Sequence, residues 1–503
     1  MRRIRLISLN RLQSNLSLIG QEKCYFLSDN YVAYCDLKQK FDSVTLLGEM
    51  FHKTLARLQE QYILLSHSVN QQNSWRKNFW GTQIASRSST NYFGLMYLIY
   101  ASCAKEIIAK KEESNITFIF DFYPLGKLLK DVVIEKFPDS SVDYKSSGMD
   151  RLYPIIMILV LVYRSISFLL FSLFFWVFYN KSFRSFADSS NFDFVLSSWV
   201  TKGSFDRDGN YTDRNYGPLP RYLIDRGYSI GILPLFFNVE GSIRKYIKKI
   251  QASDFNIIIP WTYLTPIDYL NTLMDGIRNV LLDFRNCEFD EMRVSGLLRY
   301  AHWRSSLCPY LLSYNSYSYL FKRLKKYKFQ INKLIYPFEN NTVEKSLITT
   351  MRELFPMTTI IGYQHSVWYT EQLGMQLHTK ERTYHPLPDI IVCSGKVYPE
   401  ILAQNGILGP KTIVGPSLRF KDYDLPEKLT DNKRIIVVLN FSYNHSLELL
   451  KKTRDALSEI DLKTISISIK SHPLLNELVL SKFLKSINFP KYIWAQGDLR
   501  ELI

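Results

Sequence analysis

The chain alternates short β-branched apolar runs with stretches in which apolar residues recur every three or four positions, a pattern that predicts an α/β protein with parallel sheets. Strand runs fall at 24–28 and 116–122, with helical periodicity over 43–67 and 92–111. From residue 193 the pattern restarts with a strand at 193–200, a polar loop at 201–210, a helix at 216–226 closed by Gly227, and a strand at 229–233. Further strands are predicted at 256–260, 333–337, 358–362, 390–393 and 412–414. Past a polar linker at 422–433 come strands at 434–439, 465–469 and 492–494, with a helix at 446–457. The expected organisation is a small α/β domain (1–150), a hydrophobic segment (151–186), a Rossmann-like domain (192–421) and a partial second one (433–503), the last two facing each other across a cleft.

Residues 152–179 are almost wholly apolar, with Arg164 the only charge. Arg164 divides the run into 152–163 and 165–179, each shorter than the roughly 20 residues a span requires. A single crossing would also separate two halves that both read as cytosolic α/β material. The expectation is a membrane-embedded hairpin or an in-plane helix, with Arg164 snorkelling and Trp176, Tyr179, Lys181 and Arg184 at the interface. A buried pair of core helices is the alternative.

The formal charge of +16 is concentrated in clusters such as Lys322-Arg323-Leu324-Lys325-Lys326-Tyr327-Lys328, which suit an anionic surface or substrate, or simply a solvated helix face. No nucleic-acid-reading motif accompanies them. The six cysteines are scattered without a CxxC pair, which suggests neither a disulfide framework nor a zinc site and fits a reducing compartment. The basic start lacks a long apolar run, so no secretory signal is expected.

Candidate chemistry lies at strand ends, where open α/β sheets build their ligand crevices. Glu339, in Pro337-Phe338-Glu339-Asn340, suits a proton acceptor or a stabiliser of a cationic sugar centre. The competing reading makes Asn340 a helix cap, with Glu344 and Lys345 on the first turn. His365, in Gly362-Tyr363-Gln364-His365-Ser366, either binds acceptor or secures its loop. Asp206, Asp208 and Asp213 lack the later Glu of a calcium loop, so no metal is expected, and one of them, Asp206 foremost, is a candidate acceptor-side base. Asp121, before a proline-containing turn, reads as turn chemistry.

Four ordered motifs resemble the capsule and O-antigen biosynthesis proteins of GT-B glycosyltransferase type. They are Glu339-Asn340-Asn341-Thr342-Val343-Glu344-Lys345, Ile361-Gly362-Tyr363-Gln364-His365-Ser366, Pro388-Asp389-Ile390-Ile391-Val392-Cys393-Ser394-Gly395 and Val414-Gly415-Pro416-Ser417-Leu418-Arg419. Lys470-Ser471-His472-Pro473 is similar to the His-Pro motif of sialyl- and Kdo-transferases, whose histidine contacts a CMP-sugar. The resemblance implies catalytic roles for Glu339, His365 and Asp206, donor contacts from Lys470, His472, Ser442 and Arg419, and acceptor or loop roles for Asn340, Gln364 and Ser366. It also implies a nucleotide-sugar donor, a glycan or glycolipid acceptor, no separate cofactor, and a place on the cytoplasmic face of a bacterial inner membrane. The family's donor domain continues beyond the point where this chain ends, so impaired donor binding is expected. The alternatives are a non-catalytic remnant or binding module, and a CDP-glycerol-type phosphotransferase.

Overall fold

The computed structural model describes residues 2–19, 22–87, 93–179, 191–201, 204–205, 210–236, 248–250, 252–253, 255–368, 372–420, 434–472 and 475–495. The N-terminal unit is a five-stranded parallel sheet of β1 (Arg2–Ser8), β2 (Lys23–Leu27), β3 (Val44–Leu46), β4 (Asn115–Phe120) and β5 (Ser140–Lys145), in the order β3-β2-β4-β1-β5. β1, β3 and β5 are additions to the sequence reading, and the helix expected over 43–67 begins only at Gly48, because Val44–Leu46 pairs with β2 as a strand. Charges hid β1 and β5: Arg5 of β1 is buried with its guanidinium against Glu22 and Asp143, and β5 is an edge strand whose residues are all partly exposed.

The second unit is a seven-stranded sheet of β6 (Asn191–Val200), β7 (Ile230–Phe236), β8 (Asn256–Ile257), β11 (Gln330–Pro337), β12 (Thr359–Gln364), β13 (Ile390–Cys393) and β14 (Lys411–Val414). A two-stranded ribbon, β9 (Glu288–Phe289) with β10 (Met292–Arg293), stands apart from it. The order is β14-β13-β12-β11-β6-β7-β8, and every neighbouring pair is parallel. The chain winds outward from β6 to β8, then restarts at β11 beside β6 and winds the other way. The carboxyl ends of β6 and β11 therefore flank a topological switch point, where doubly wound sheets open a crevice.

The two units share a core. Apolar residues of the N-terminal sheet and its helices pack in one buried cluster with Phe284, Leu297, Leu298 and Leu373 from the second part of the chain. The helix Gly48–Asn73 is tied across by Asn70, which donates to Glu381 at 2.8 Å, and Glu381 is paired with Arg87 at 2.7 Å.

The apolar segment is one continuous helix, Tyr153–Tyr179, which corrects the expected hairpin. Arg164 neither breaks it nor snorkels. Its Nη1 donates to the carbonyls of Arg304 (2.9 Å) and Ser306 (2.7 Å), capping the C-terminal end of the helix Ser295–Ser305, where a cation is favoured by the helix dipole. One face is anchored by the buried Met157, Phe168 and Phe175, with Phe168 against Tyr269 and Phe175 against Trp261. The opposite face leaves Leu159, Val162, Ile166, Leu170, Phe174 and Val177 exposed. By length and composition this helix is long and apolar enough to cross a membrane.

The third unit is a parallel sheet β15-β16-β17, formed by β15 (Arg434–Val438), β16 (Ser466–Lys470) and β17 (Ile493–Trp494). Its buried cluster joins Val437, Leu450 and Ile469 to Tyr31 and Cys35 of the helix Tyr31–Lys40. Among the described residues its buried apolar cluster is shared with the N-terminal unit.

Candidate active site

The crevice at the switch point is built around Glu339, two residues past the end of β11. The backbone there is fixed from below. The buried Glu344, on the helix Thr342–Leu354, accepts the N–H of Glu339 at 3.0 Å and that of Asn340 at 2.8 Å. Burial, with the neighbouring Glu339 carboxylate, pushes Glu344 well above the usual range. The helix cap is Asn341, whose side chain accepts from Val343 N at 3.1 Å and Glu344 N at 3.4 Å. The competing reading of this motif was therefore one residue out of place.

Asn340 holds the turn itself. It is buried in the left-handed region (φ 55°), donates through Nδ2 to Gly374 O at 2.6 Å, and holds Oδ1 3.3 Å from His385 Nε2. Such a residue shapes the turn that presents Glu339. The Glu339 side chain keeps about a third of its surface open to solvent, with Oε2 3.4 Å from the Asn341 amide and Oε1 3.4 Å from His365 Nε2. Protein crowding around the carboxylate still raises its pKa, and Arg419 partly offsets the rise.

His365 follows β12, the strand beside β11, and is buried. Burial first, and the positive Arg419 second, lower its pKa to about 4, so the imidazole is neutral at physiological pH. The preceding residues have separate jobs. Gly362 lies under Phe338, where an added Cβ would meet the ring at 3.2 Å. Tyr363 accepts Leu418 N at 2.8 Å and donates to Pro416 O at 3.1 Å, pinning the loop that carries Arg419. Gln364 is fully buried, accepts from Ser394 N (2.8 Å) and Oγ (2.7 Å), and donates to the Ser366 carbonyl. Gln364 and the Ser366 backbone thus fold the loop.

Arg419 joins this group, since its charge acts on both Glu339 and His365. The loop before it also touches the first-strand loop: Gly217 has φ +52°, and an added Cβ would lie 2.5 Å from Leu418 O. Of the loop aspartates, Asp206 and Asp208 lie outside the described residues. Asp213 is buried, with Oδ2 accepting from the Tyr211 hydroxyl (2.7 Å) and Oδ1 from Asn215 N and Tyr216 N (2.8 and 2.9 Å), so it folds the loop and is no base. Asp389 of the third motif is likewise structural, accepting Ile360 N at 2.8 Å. Among the described residues no cluster of His, Cys, Asp or Glu is arranged to hold a metal ion.

Lys470, His472 and Ser442 gather at the carboxyl edge of the three-stranded sheet. Ser442 caps the helix Tyr443–Leu457, Lys470 donates to Ala495 O at 3.3 Å, and the His472 ring stands edge-on to Phe441 at 6.2 Å. This edge belongs to the unit that packs on the helix Tyr31–Lys40. Two contributors escaped the sequence reading as functional residues, Glu344 and Tyr363. Both stood inside the quoted motifs, but their work is backbone positioning, which a motif does not announce.

The chain matches no protein-family model and no curated protein, so its functional reading rests on its own residues and geometry.

Proposed function

We propose that the protein is a membrane-associated glycosyltransferase of GT-B type, moving a sugar from a nucleotide donor to a bacterial surface glycan or glycolipid at the cytoplasmic face of the membrane. The observation that carries this reading is the pairing of Glu339 and His365 at the switch point of a doubly wound sheet. Once deprotonated, a carboxylate with a raised pKa is a stronger base than an ordinary one, as proton removal from an acceptor hydroxyl requires. A neutral imidazole alongside can orient that hydroxyl, and Arg419 supplies positive charge for a departing phosphate. Apo distances of 3.4 Å suit groups that tighten only around substrate. At the second edge, Lys470, His472 and the N-terminus of the helix Tyr443–Leu457 offer an ammonium, an imidazole and backbone N–H groups to a donor phosphate.

The membrane part of the reading is supported by the exposed apolar face of the helix Tyr153–Tyr179 together with the shared core of the flanking units. Units that share a core lie on one side of a bilayer, so the helix rests in the plane of the membrane. The test is to supply the full chain in lipid nanodiscs with CMP-, UDP- and GDP-sugars and CDP-glycerol, plus a bacterial glycolipid extract. Acceptor-dependent release of nucleotide from a sugar donor is expected. Release from CDP-glycerol alone would move the reading to phosphotransfer, and no release from any donor would overturn it.

A further inference from the structure

Beside the apolar helix lies a cavity of about 580 Å³, within the range of small-ligand sites. Its walls include Phe175 from that helix and Phe236, Trp261, Leu264, Tyr269 and Tyr314 from the seven-stranded unit. The lining is apolar for a definite reason. The hydroxyls of Tyr314 and Tyr317 are committed to the carbonyls of Phe236 and Pro234, so their rings rather than their oxygens face the space.

Two continuities identify the occupant. Phe171, between the inward Phe175 and the outward Phe174, lines the cavity and is itself half exposed, so the space opens beside the apolar helix. At the other end Tyr314 stands edge-on to Trp199 at 5.8 Å, and Trp199 shares a small hollow with Asn341 and Glu344, which hold Glu339 in place. The Tyr314–Trp199 ring pair thus stands between the cavity and the hollow beneath the Glu339 turn.

We propose that this cavity takes the hydrocarbon tail of the lipid that carries the acceptor, entering from the bilayer and placing its head group at Glu339. The inference rests on the transferase reading for the identity of the head group. The tail site stands on its own geometry.

The test uses the full chain in phosphatidylglycerol nanodiscs doped with a farnesyl phosphate bearing a diazirine on its tail, with adducts mapped by mass spectrometry. Adducts are expected on peptides containing Phe175, Trp261 and Tyr314, while a tail-diazirine phosphatidylglycerol marks Leu170 and Phe174 on the outer face. Leu264→Trp, which fills the cavity, should lower the farnesyl adduct at least tenfold, and Leu264→Met should not. Should Leu264→Trp fail to fold, Ser313→Phe fills the same space from another wall. Equal labelling of the outer face by both probes, or entry of the phospholipid tail at Trp261 and Tyr314, would overturn the proposal. Cavity labelling without nucleotide release from any donor would leave the tail site standing and remove the transferase reading.

Discussion

His365 Nε2 lies 3.4 Å from Glu339 Oε1, joining the ends of adjacent strands β12 and β11 beside the switch point between β11 and β6. Arg419 acts on both groups with the same sign, favouring the carboxylate and disfavouring the imidazolium. Removing that cation in Arg419→Ala should raise both pKa values. If Glu339 must be ionised to accept a proton, the acid limb of the pH–rate profile should move to higher pH in the variant. A limb that stays in place or moves toward acid would show that Arg419 does not set the charge of this pair.

The pH dependence of stability has a second handle in His302. It is fully buried, with Nε2 2.6 Å from Asn279 O, and burial lowers its pKa to about 4. The unfolded chain binds a proton near pH 6.5, which the folded state refuses until about pH 4. Stability present above pH 6.5 is therefore lost as pH falls through that window, by about 3 kcal/mol for this one group. His365 contributes with the same sign. Urea midpoints should fall between pH 7 and pH 5, and His302→Gln should flatten the dependence. A midpoint independent of pH in the native chain would contradict the buried neutral histidines.

Arg87 and Glu381 form a fully buried pair at 2.7 Å that links the two larger units. Arg87→Ala leaves the Glu381 carboxylate with hydrogen bonds but no cation, and should destabilise by about 3–5 kcal/mol. The double variant Arg87→Met, Glu381→Leu should recover most of that loss, because it removes the stranded charge. Calorimetric unfolding of the single and double variants checks it, and a single variant as stable as the native chain would sink the idea.

The exposed face of the apolar helix should bind bilayers. Changing Leu159, Val162, Ile166 and Leu170 to serine removes four outward side chains and leaves Phe168 and Phe175 in their packing. At roughly 1.5–3 kcal/mol for each buried aliphatic side chain, flotation with phosphatidylglycerol liposomes should be abolished. Undiminished flotation would assign membrane contact elsewhere.

The strands of the seven-stranded sheet were legible because buried parallel strands read as unbroken apolar runs, and the position of Glu339 and His365 followed from where those runs stop. Arg164 misled, because its partners are carbonyls about 140 residues away, and no local pattern reveals that a charge inside an apolar run is satisfied. Asn340 and Gln364 looked like site residues for a similar reason. A buried amide that ties two loops together has the same local sequence signature as one that binds a sugar, and only the distant Gly374 and Ser394 tell them apart. The partnership of the third unit with Tyr31 and Cys35 is a contact across some 400 residues, equally invisible in the order of the motifs.

The most direct measurement is the transfer rate of Glu339→Gln against the native chain, with the most active donor and acceptor found in the nanodisc assay. Glutamine preserves size and the contact with Asn341 but cannot accept a proton, so the rate should fall at least a hundredfold, in the range expected for a general base, with the unfolding midpoint within about a degree of native. A variant that folds normally and transfers at the native rate would contradict the assignment of this crevice as the catalytic centre.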